Sequence, residues 1–242
     1  MTAEMYAPDA HESVRQALPP RPFRDRAEAG RLLGGAVARA LADQRASPER
    51  GRRGVIVLGL ARGGVPVAAE VARSLRAPLD VLVVRKLGVP SQPELGFGAI
   101  AENDATVIDE ETVTACALAP AAIERVRDHE RRELSRRARM YRGDRPLAGV
   151  RDKNVVLVDD GLATGVTMRA AVALVTIRGA ARVTVAVPVG APDSLRRLQK
   201  EADVVCLHAP YDFSAVGLWY EDFEAPTDDE IRALLRGRAA PA

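Results

Sequence analysis

The sequence predicts an α/β fold in which a mostly parallel sheet is flanked by helices. Runs of aliphatic residues alternate along the chain with helical segments, which is typical of parallel strands joined by helical crossovers. These runs consist mostly of aliphatic residues, as expected for strands buried on both faces. With 242 residues the chain can form one large domain, or one domain with a small appendage.

The predicted elements follow this alternation from residue 23 onward. A first helix is expected to end near residue 45, with Asp25 as its N-cap. Strands are predicted at residues 54–60, 79–84, 154–158, 182–188 and 204–207. Helices are predicted at residues 65–76, 121–141, 168–178, 193–201 and 228–236. Residues 85–93, rich in Gly and Pro, are expected to form a mobile loop, and residues 96–108 a hairpin.

The composition argues against several classes of protein. A formal net charge of +2 is too close to neutral for a dedicated nucleic-acid surface. Cys116 and Cys206 lie far apart and lack the spacing of a metal site, which fits a reducing cytoplasm without disulfides. No apolar stretch is long enough to span a membrane, and residues 1–22 lack the apolar core of a signal peptide.

The segment at residues 155–167 is the most informative part of the chain. Its aliphatic run ends in Asp159 and Asp160, and a turn rich in Gly, Ala and Thr leads from these acids into a helix. This places both carboxylates at the carboxyl edge of the sheet, beside a helix N-terminus that attracts phosphate. The hydroxyls of Thr164 and Thr167 add donors. The carboxylates themselves suit vicinal hydroxyls or a hydrated divalent cation.

A structural strand–turn–helix unit, with acids that cap the helix, is the alternative for this segment. Two acids at a buried edge with no Lys or Arg close by in the sequence are costly unless a ligand compensates them. We therefore expect a ligand site. Turns after the strands at residues 54–60 and 79–84 are expected at the same edge, and they carry Arg62 and the Arg85–Lys86 pair.

Together these motifs resemble the type I phosphoribosyltransferase family. The aliphatic run, acid pair, spacer and Thr-Gly-x-Thr of residues 155–167 are similar to the family's signature for phosphoribosyl pyrophosphate, and the resemblance covers residues 54–208. It implies the type I phosphoribosyltransferase fold with a small hood built from the chain ends. The expected division is a flexible arm at residues 1–22, a core at 23–208, and a hood with a closing helix at 209–242.

The resemblance implies a magnesium-dependent, cytoplasmic enzyme of nucleotide salvage. Such an enzyme moves a ribosyl 5-phosphate group from phosphoribosyl pyrophosphate to a nitrogenous base and releases pyrophosphate. Asp159 and Asp160 would act in catalysis, holding the ribose hydroxyls and, through water, Mg²⁺. The implied pyrophosphate-binding residues are Ala61, Arg62, Gly63, Gly64, Arg85 and Lys86, of which Arg62 and Lys86 would be catalytic. The implied phosphate-binding residues are Gly161, Leu162, Ala163, Thr164, Gly165, Val166 and Thr167.

Details of the motifs leave the acceptor base open. The signature is similar to that of adenine-type enzymes, because Ala163 stands where oxopurine enzymes have an Asp. The aromatic segment with Phe213 and Trp219, in contrast, loosely resembles the purine-stacking tail of the oxopurine enzymes; its alternative is a small hydrophobic core. A purine-like base is expected, with Glu94 and Glu102 as candidates for its proton chemistry. In many relatives the peptide that enters the first loop is cis, so we expect a cis bond between residues 61 and 62.

A second function from a different class is a non-catalytic regulator that binds phosphoribosyl pyrophosphate. The intact loop cations and the near-neutral charge favour the enzyme. Homodimers are common in the family, and the sequence does not determine the oligomeric state. A dinucleotide-dependent dehydrogenase is a poor match, because residues 59–64 lack the required glycine spacing.

Overall fold

The computed structural model of the protein describes residues 22–45 and 54–236. Its helices are α1 (Arg26–Arg45), α2 (Gly64–Leu75), α3 (Glu110–Ala115), α4 (Pro120–Arg142), α5 (Val166–Ile177), α6 (Pro192–Leu198) and α7 (Asp228–Arg236). Its strands are β1 (Val55–Leu60), β2 (Leu79–Leu82), β3 (Val84–Val89), β4 (Gln92–Ala101), β5 (Thr106–Ile108), β6 (Asn154–Val158), β7 (Arg182–Val189) and β8 (Asp203–His208). The expected N-terminal arm lies outside the described residues, except for Pro22.

A five-stranded parallel sheet, in the order β2-β1-β6-β7-β8, confirms the predicted α/β class. The strands are buried on both faces, as their mostly aliphatic runs predict. Val57 and Val156 face a core that includes α1 and α2. Ile56 and Leu157 face the opposite core, which includes α5.

The strand order reverses between β1 and β6. The chain moves outward from β1 to β2 on one side, and from β6 through β7 to β8 on the other. In open parallel sheets such a reversal opens a crevice at the carboxyl ends of the strands, where ligands bind. The turn after β1 and the turn after β6 flank this crevice, so the topology alone brings two of the three predicted motifs together.

The segment after β2, predicted to be a mobile loop, has a different structure. Residues 85–93 do not form a loop, because β3 and β4 pair as an antiparallel hairpin and, with β5, build a separate three-stranded sheet. The predicted strand at residues 79–84 is therefore divided between two sheets at Val83. Gly and Pro in this segment fit the bulged register at Leu87 to Val89 and the tight turn into β4, rather than an irregular loop.

A buried ion pair fastens the second sheet to the first. Arg142, at the end of α4, forms a two-pronged ion pair with Glu102 and donates a hydrogen bond to the carbonyl of Val81 at 2.7 Å. Glu102 in turn accepts a hydrogen bond from the amide of Val83 at 3.3 Å. This pairing gives Glu102 a structural role and removes it as a candidate for proton transfer to a base.

The two ends of the described chain meet in a hood beside the carboxyl edge. Phe23 and Tyr220 form a parallel bridge, in which the Phe23 amide donates to the carbonyl of Trp219 at 2.8 Å. The amide of Glu221 donates back to the Phe23 carbonyl at 2.8 Å. The expected hood built from the chain ends is therefore present. Within residues 22–45 and 54–236, no helix is long and apolar enough to cross a membrane.

Candidate functional site

The acid pair lies directly against the turn after β1. A side chain placed on Gly63 would overlap Oδ2 of Asp160, and the Cβ of one placed on Gly64 would lie 2.8 Å from Cα of Asp159. Both glycines are thus required for the close approach of the two turns. The peptide bond between Ala61 and Arg62 is cis, as expected from the family.

The two carboxylates are held in a poorly hydrated position. Asp159 Oδ1 accepts a hydrogen bond from the amide of Asp160 at 2.9 Å. Burial and, next, the charge of Asp160 raise the pKa of Asp159 well above its usual range. Burial also raises the pKa of Asp160, although a nearby guanidinium opposes that rise. A half-buried acid pair with raised pKa values is typical of a ligand-binding site rather than of a structural cap.

The opposing guanidinium belongs to Arg26, at the first position of α1. Its Nε lies 2.9 Å and its Nη2 2.8 Å from Oδ2 of Asp160. Its plane stacks on the ring of Phe223, with Cζ 4.1 Å from the ring centroid. The acids have no Lys or Arg close by in the sequence, but the fold supplies a cation that the sequence analysis did not assign to them. The cation comes from 134 residues earlier in the chain.

The turn after β6 forms an open cradle at the N-terminus of α5. Ala163 and Thr164 are exposed, and Gly165 is the N-cap in the left-handed region at φ 79° without a side-chain cap. Within the described chain, the hydroxyls of Thr164 and Thr167 make no hydrogen bond to protein. Uncapped amides, free hydroxyls and the helix dipole together suit a phosphate group.

Three residues of the same turn have structural contacts. Leu162 is buried, and its amide donates to the carbonyl of Val189 at 2.9 Å, so its side chain belongs to the core. Gly161 lies under the hood, where a Cβ would overlap the side chain of Val216. Val166 is half-buried against the core on the α5 side. These residues shape the cradle from below, and any contact with phosphate would use their backbone.

The aromatic residues of the hood stack on one another. Trp219 stacks on His208 with ring centroids 5.4 Å apart, and burial lowers the pKa of His208. Tyr220 is buried and donates from its hydroxyl to the carbonyl of Asp160 at 2.6 Å. Phe213 is half-buried. Trp219 is thus partly packed inside the hood, where it stacks on the side chain of His208.

The predicted pyrophosphate cations lie apart from one another. Arg62 is exposed on the turn beside the acid pair. Arg85 pairs with Glu130 of α4 at 2.6 Å, and Lys86 donates to the carbonyl of Glu94 at 2.9 Å. Both line a cavity of about 500 Å³ between the β3–β4 hairpin and α4. The turn after β1 and the turn after β6 are therefore in contact. Arg85 and Lys86 instead pair with residues of α4 and of the β3–β4 hairpin. Glu94, the other candidate for base proton chemistry, is fully exposed.

Sequence reasoning missed two contributors to the site, Arg26 and Ser194, and it placed Tyr220 and Phe223 in the aromatic hood without predicting their contacts near the acid pair. Ser194, in α6, supports the cradle by donating to the carbonyl of Ala163 at 2.6 Å. The sequence does carry a signal for the hood residues, since aromatic residues cluster at 211–223 in a chain that has only 4% aromatic content. No local pattern marks Arg26, because its partners lie more than a hundred residues away.

Comparison with known proteins shows which family this chain resembles. A family model described as the phosphoribosyl transferase domain matches residues 27–215. A protein of Mycobacterium tuberculosis, whose name assigns it provisionally to the phosphoribosyl transferases, is 47% identical over 214 residues. These residues are 88% of this chain and 46% of that protein, so the chain spans about half the length of this curated relative.

A crystal structure of a protein from Thermus thermophilus is also similar. Its sequence is 42% identical to this chain, and its structure superposes with a TM-score of 0.73. The match covers 90% of this chain and 100% of the Thermus thermophilus chain. Sequence match, fold and the signature at the switch point agree, and the chain belongs to the phosphoribosyl transferase domain family.

Proposed function

We propose that this chain transfers a ribosyl 5-phosphate group from phosphoribosyl pyrophosphate to a nitrogenous base, with release of pyrophosphate. The contact between the acid pair and Gly63–Gly64, beside the uncapped start of α5, carries this proposal. Acceptors for ribose hydroxyls and two separate anion-binding turns lie within one crevice. A phosphorylated sugar that bears a pyrophosphate needs this combination.

Each part of the donor has a matching group in the crevice. The 5-phosphate would bind at the amides and hydroxyls of Ala163 to Thr167, and the ribose hydroxyls at Asp159 and Asp160. The pyrophosphate would lie along the turn at residues 61–64, where the exposed Arg62 supplies charge. Stabilising the departing pyrophosphate and holding the base in line would supply the rate enhancement.

Magnesium fits the donor atoms that the site offers. No cluster of three or more side chains able to bind a metal occurs in the described parts of the chain, so no dedicated protein cage is expected. Mg²⁺ binds readily through one or two carboxylates, water and substrate phosphates. Asp159 and Asp160 would hold it through water, and the ion would neutralise charge on the pyrophosphate.

The acceptor is proposed to be a purine-like base beneath the hood. Trp219 and Phe213 supply flat apolar surface there, and Ala163 lacks the acid that the oxopurine enzymes use. Because Glu102 is paired with Arg142, the proton of the base would pass to Glu94, to water or to the leaving pyrophosphate.

A second candidate is a protein that binds phosphoribosyl pyrophosphate without turnover. It is favoured by the pairing of Arg85 with Glu130, which neutralises one cation expected at the leaving group. Following pyrophosphate release with Mg²⁺, phosphoribosyl pyrophosphate and a panel of bases separates the two. Release that depends on one base supports the enzyme, whereas calorimetric binding without release supports the regulator.

The donor site itself is tested by replacing both acids. The double variant Asp159→Asn and Asp160→Asn should abolish magnesium-dependent binding of phosphoribosyl pyrophosphate in calorimetry. Asp144→Asn, at an exposed position after α4, is the matched control and should bind as wild type. Wild-type affinity in the double variant would refute the assignment of the acid pair.

A further inference from the structure

The guanidinium of Arg26 joins the acid pair to the hood. It is paired with Oδ2 of Asp160, and its Nη1 donates to the carbonyl of Glu224 at 2.6 Å. The ring of Phe223 covers its face at 4.1 Å, and the ring of Tyr220 lies 5.9 Å away. The Arg26 side chain is only 10% exposed. One side chain from the start of α1 thus lies against the turn after β6 and against three residues of the hood.

A second link joins the same two parts of the molecule. The hydroxyl of Tyr220 donates to the backbone carbonyl of Asp160, and burial raises the pKa of Tyr220, so the donor stays protonated. Val216 packs on the Cα of Gly161 one residue later. We call residues 216–224 the hood segment. Several of its contacts are made at Asp160 and Gly161.

The contacts of Asp160 hold its carboxylate in one orientation. Both close contacts of Arg26 are to Oδ2, so the guanidinium does not use Oδ1 of the same carboxylate. On the other side, Gly63 packs against the carboxylate and limits its rotation. Asp160 is therefore held by Arg26 and by the turn at Gly63, as expected for an acceptor that must be oriented before the ligand arrives.

We propose that Arg26 is a positioning residue of the phosphoribosyl site: it orients Asp160 and, through the same guanidinium, fastens the hood segment over the acid pair. The proposal rests on the proposed function for its ligand. Because one planar group makes both contacts, the hood segment cannot lift away without losing the Phe223 and Glu224 contacts or drawing Arg26 from Asp160. The position of the hood and the readiness of the acid pair are thus linked.

This link has a consequence for affinity. A ligand that needs the docked hood binds with an apparent affinity reduced by the fraction of molecules in which the hood is docked. Loss of Arg26 lowers that fraction and also frees Asp160 to rotate. A purely structural Arg26 would instead lower thermal stability and leave the affinity of the folded protein unchanged.

The fluorescence of Trp219 reports whether the hood segment is docked or open. It is the one tryptophan of the chain, and it stacks on His208 at the end of β8. Acrylamide quenching of its fluorescence measures hood opening without any ligand. Calorimetry with Mg²⁺ and phosphoribosyl pyrophosphate, at a temperature where circular dichroism shows every variant folded, measures the readiness of the acid pair.

Three substitutions separate the roles of Arg26. In Arg26→Gln we expect Trp219 quenching to rise toward that of the urea-denatured protein, and the Kd to rise by about 10-fold to 100-fold. Arg26→Lys keeps the charge but cannot span three partners, so it should recover part of the affinity while quenching stays high. Arg31→Gln, at an exposed position on the same helix, should match wild type in both measurements.

Phe223→Leu keeps the ion pair and removes the stacked ring, so it carries the test if Arg26→Gln does not fold. It should raise quenching and Kd in the same direction by a smaller factor. A folded Arg26→Gln protein, or failing that Phe223→Leu, with wild-type quenching and Kd would overturn the proposal. If wild type does not bind phosphoribosyl pyrophosphate, the proposed function fails, and the quenching comparison alone decides whether Arg26 fastens the hood.

Discussion

Asparagine substitution at the two acids should have unequal effects on stability. In Asp159→Asn, the amide oxygen can still accept the hydrogen bond from the Asp160 amide, which is 2.9 Å long in the wild type. The substitution removes a buried charge whose pKa is raised by burial and by its neighbour. We expect the ligand-free variant to be more stable than wild type by about 1 kcal/mol, which is about 2–4 °C in Tm for a chain of this size.

The same substitution at Asp160 has an added penalty. It relieves a buried charge as well, but it leaves Arg26 without its counter-ion at a position that is 10% exposed. Hydrogen bonds to charged partners contribute about 1.5–3 kcal/mol and neutral ones about 0.5–1.5 kcal/mol. We therefore expect Asp160→Asn to be about 1–3 kcal/mol less stable than Asp159→Asn, although the two changes are chemically identical.

The pH dependence of the unfolding free energy tests the predicted stabilisation of Asp159→Asn. A carboxyl group with a raised pKa in the folded state contributes stability fully below its ordinary pKa of 3.8 and loses it as pH rises through the folded value. The advantage of Asp159→Asn over wild type should therefore grow from acid to neutral pH. Urea unfolding of wild type and both variants at acid and neutral pH tests this. An Asp159→Asn protein no more stable than wild type at neutral pH, or no more stable than Asp160→Asn, would refute the reasoning.

Three further predictions concern separate parts of the molecule. Gly63→Ala places a Cβ against Asp160 Oδ2 and should weaken calorimetric binding of phosphoribosyl pyrophosphate at least about 10-fold, whereas Gly54→Ala, with no atom within 4 Å, should not. Glu102→Gln leaves a buried guanidinium without its counter-ion and should lower the free energy of unfolding by about 3–5 kcal/mol in urea; a loss under about 1 kcal/mol would contradict this role. Arg85→Met should reduce kcat for pyrophosphate release more than it raises KM, and unchanged kcat would place that side chain outside the reaction.

The sequence predicted most of the parallel sheet, because strands buried on both faces appear in the sequence as runs of mostly aliphatic residues. The strand at Asn154–Val158 and the helix at Asp228–Arg236 have the predicted bounds. The hairpin at residues 84–101 was missed, because its Gly and Pro content is typical of loops and its partner contacts are made by α4. Local composition cannot distinguish a bulged edge strand from an irregular turn when the stabilising layer lies elsewhere in the chain.

By itself, the sequence determined the acid pair, the Gly/Thr-rich turn that follows it and their placement at the carboxyl edge of a parallel sheet. Each of these depends on residues that are close in the chain, so spacing and local chemistry suffice. Only the tertiary structure decided how the acids are compensated, because the charge of Arg26 reaches Asp160 across a long separation in sequence. It also decided that Gly63 and Gly64 are needed for contact between two turns, since that contact exists only once the strand order brings β1 beside β6.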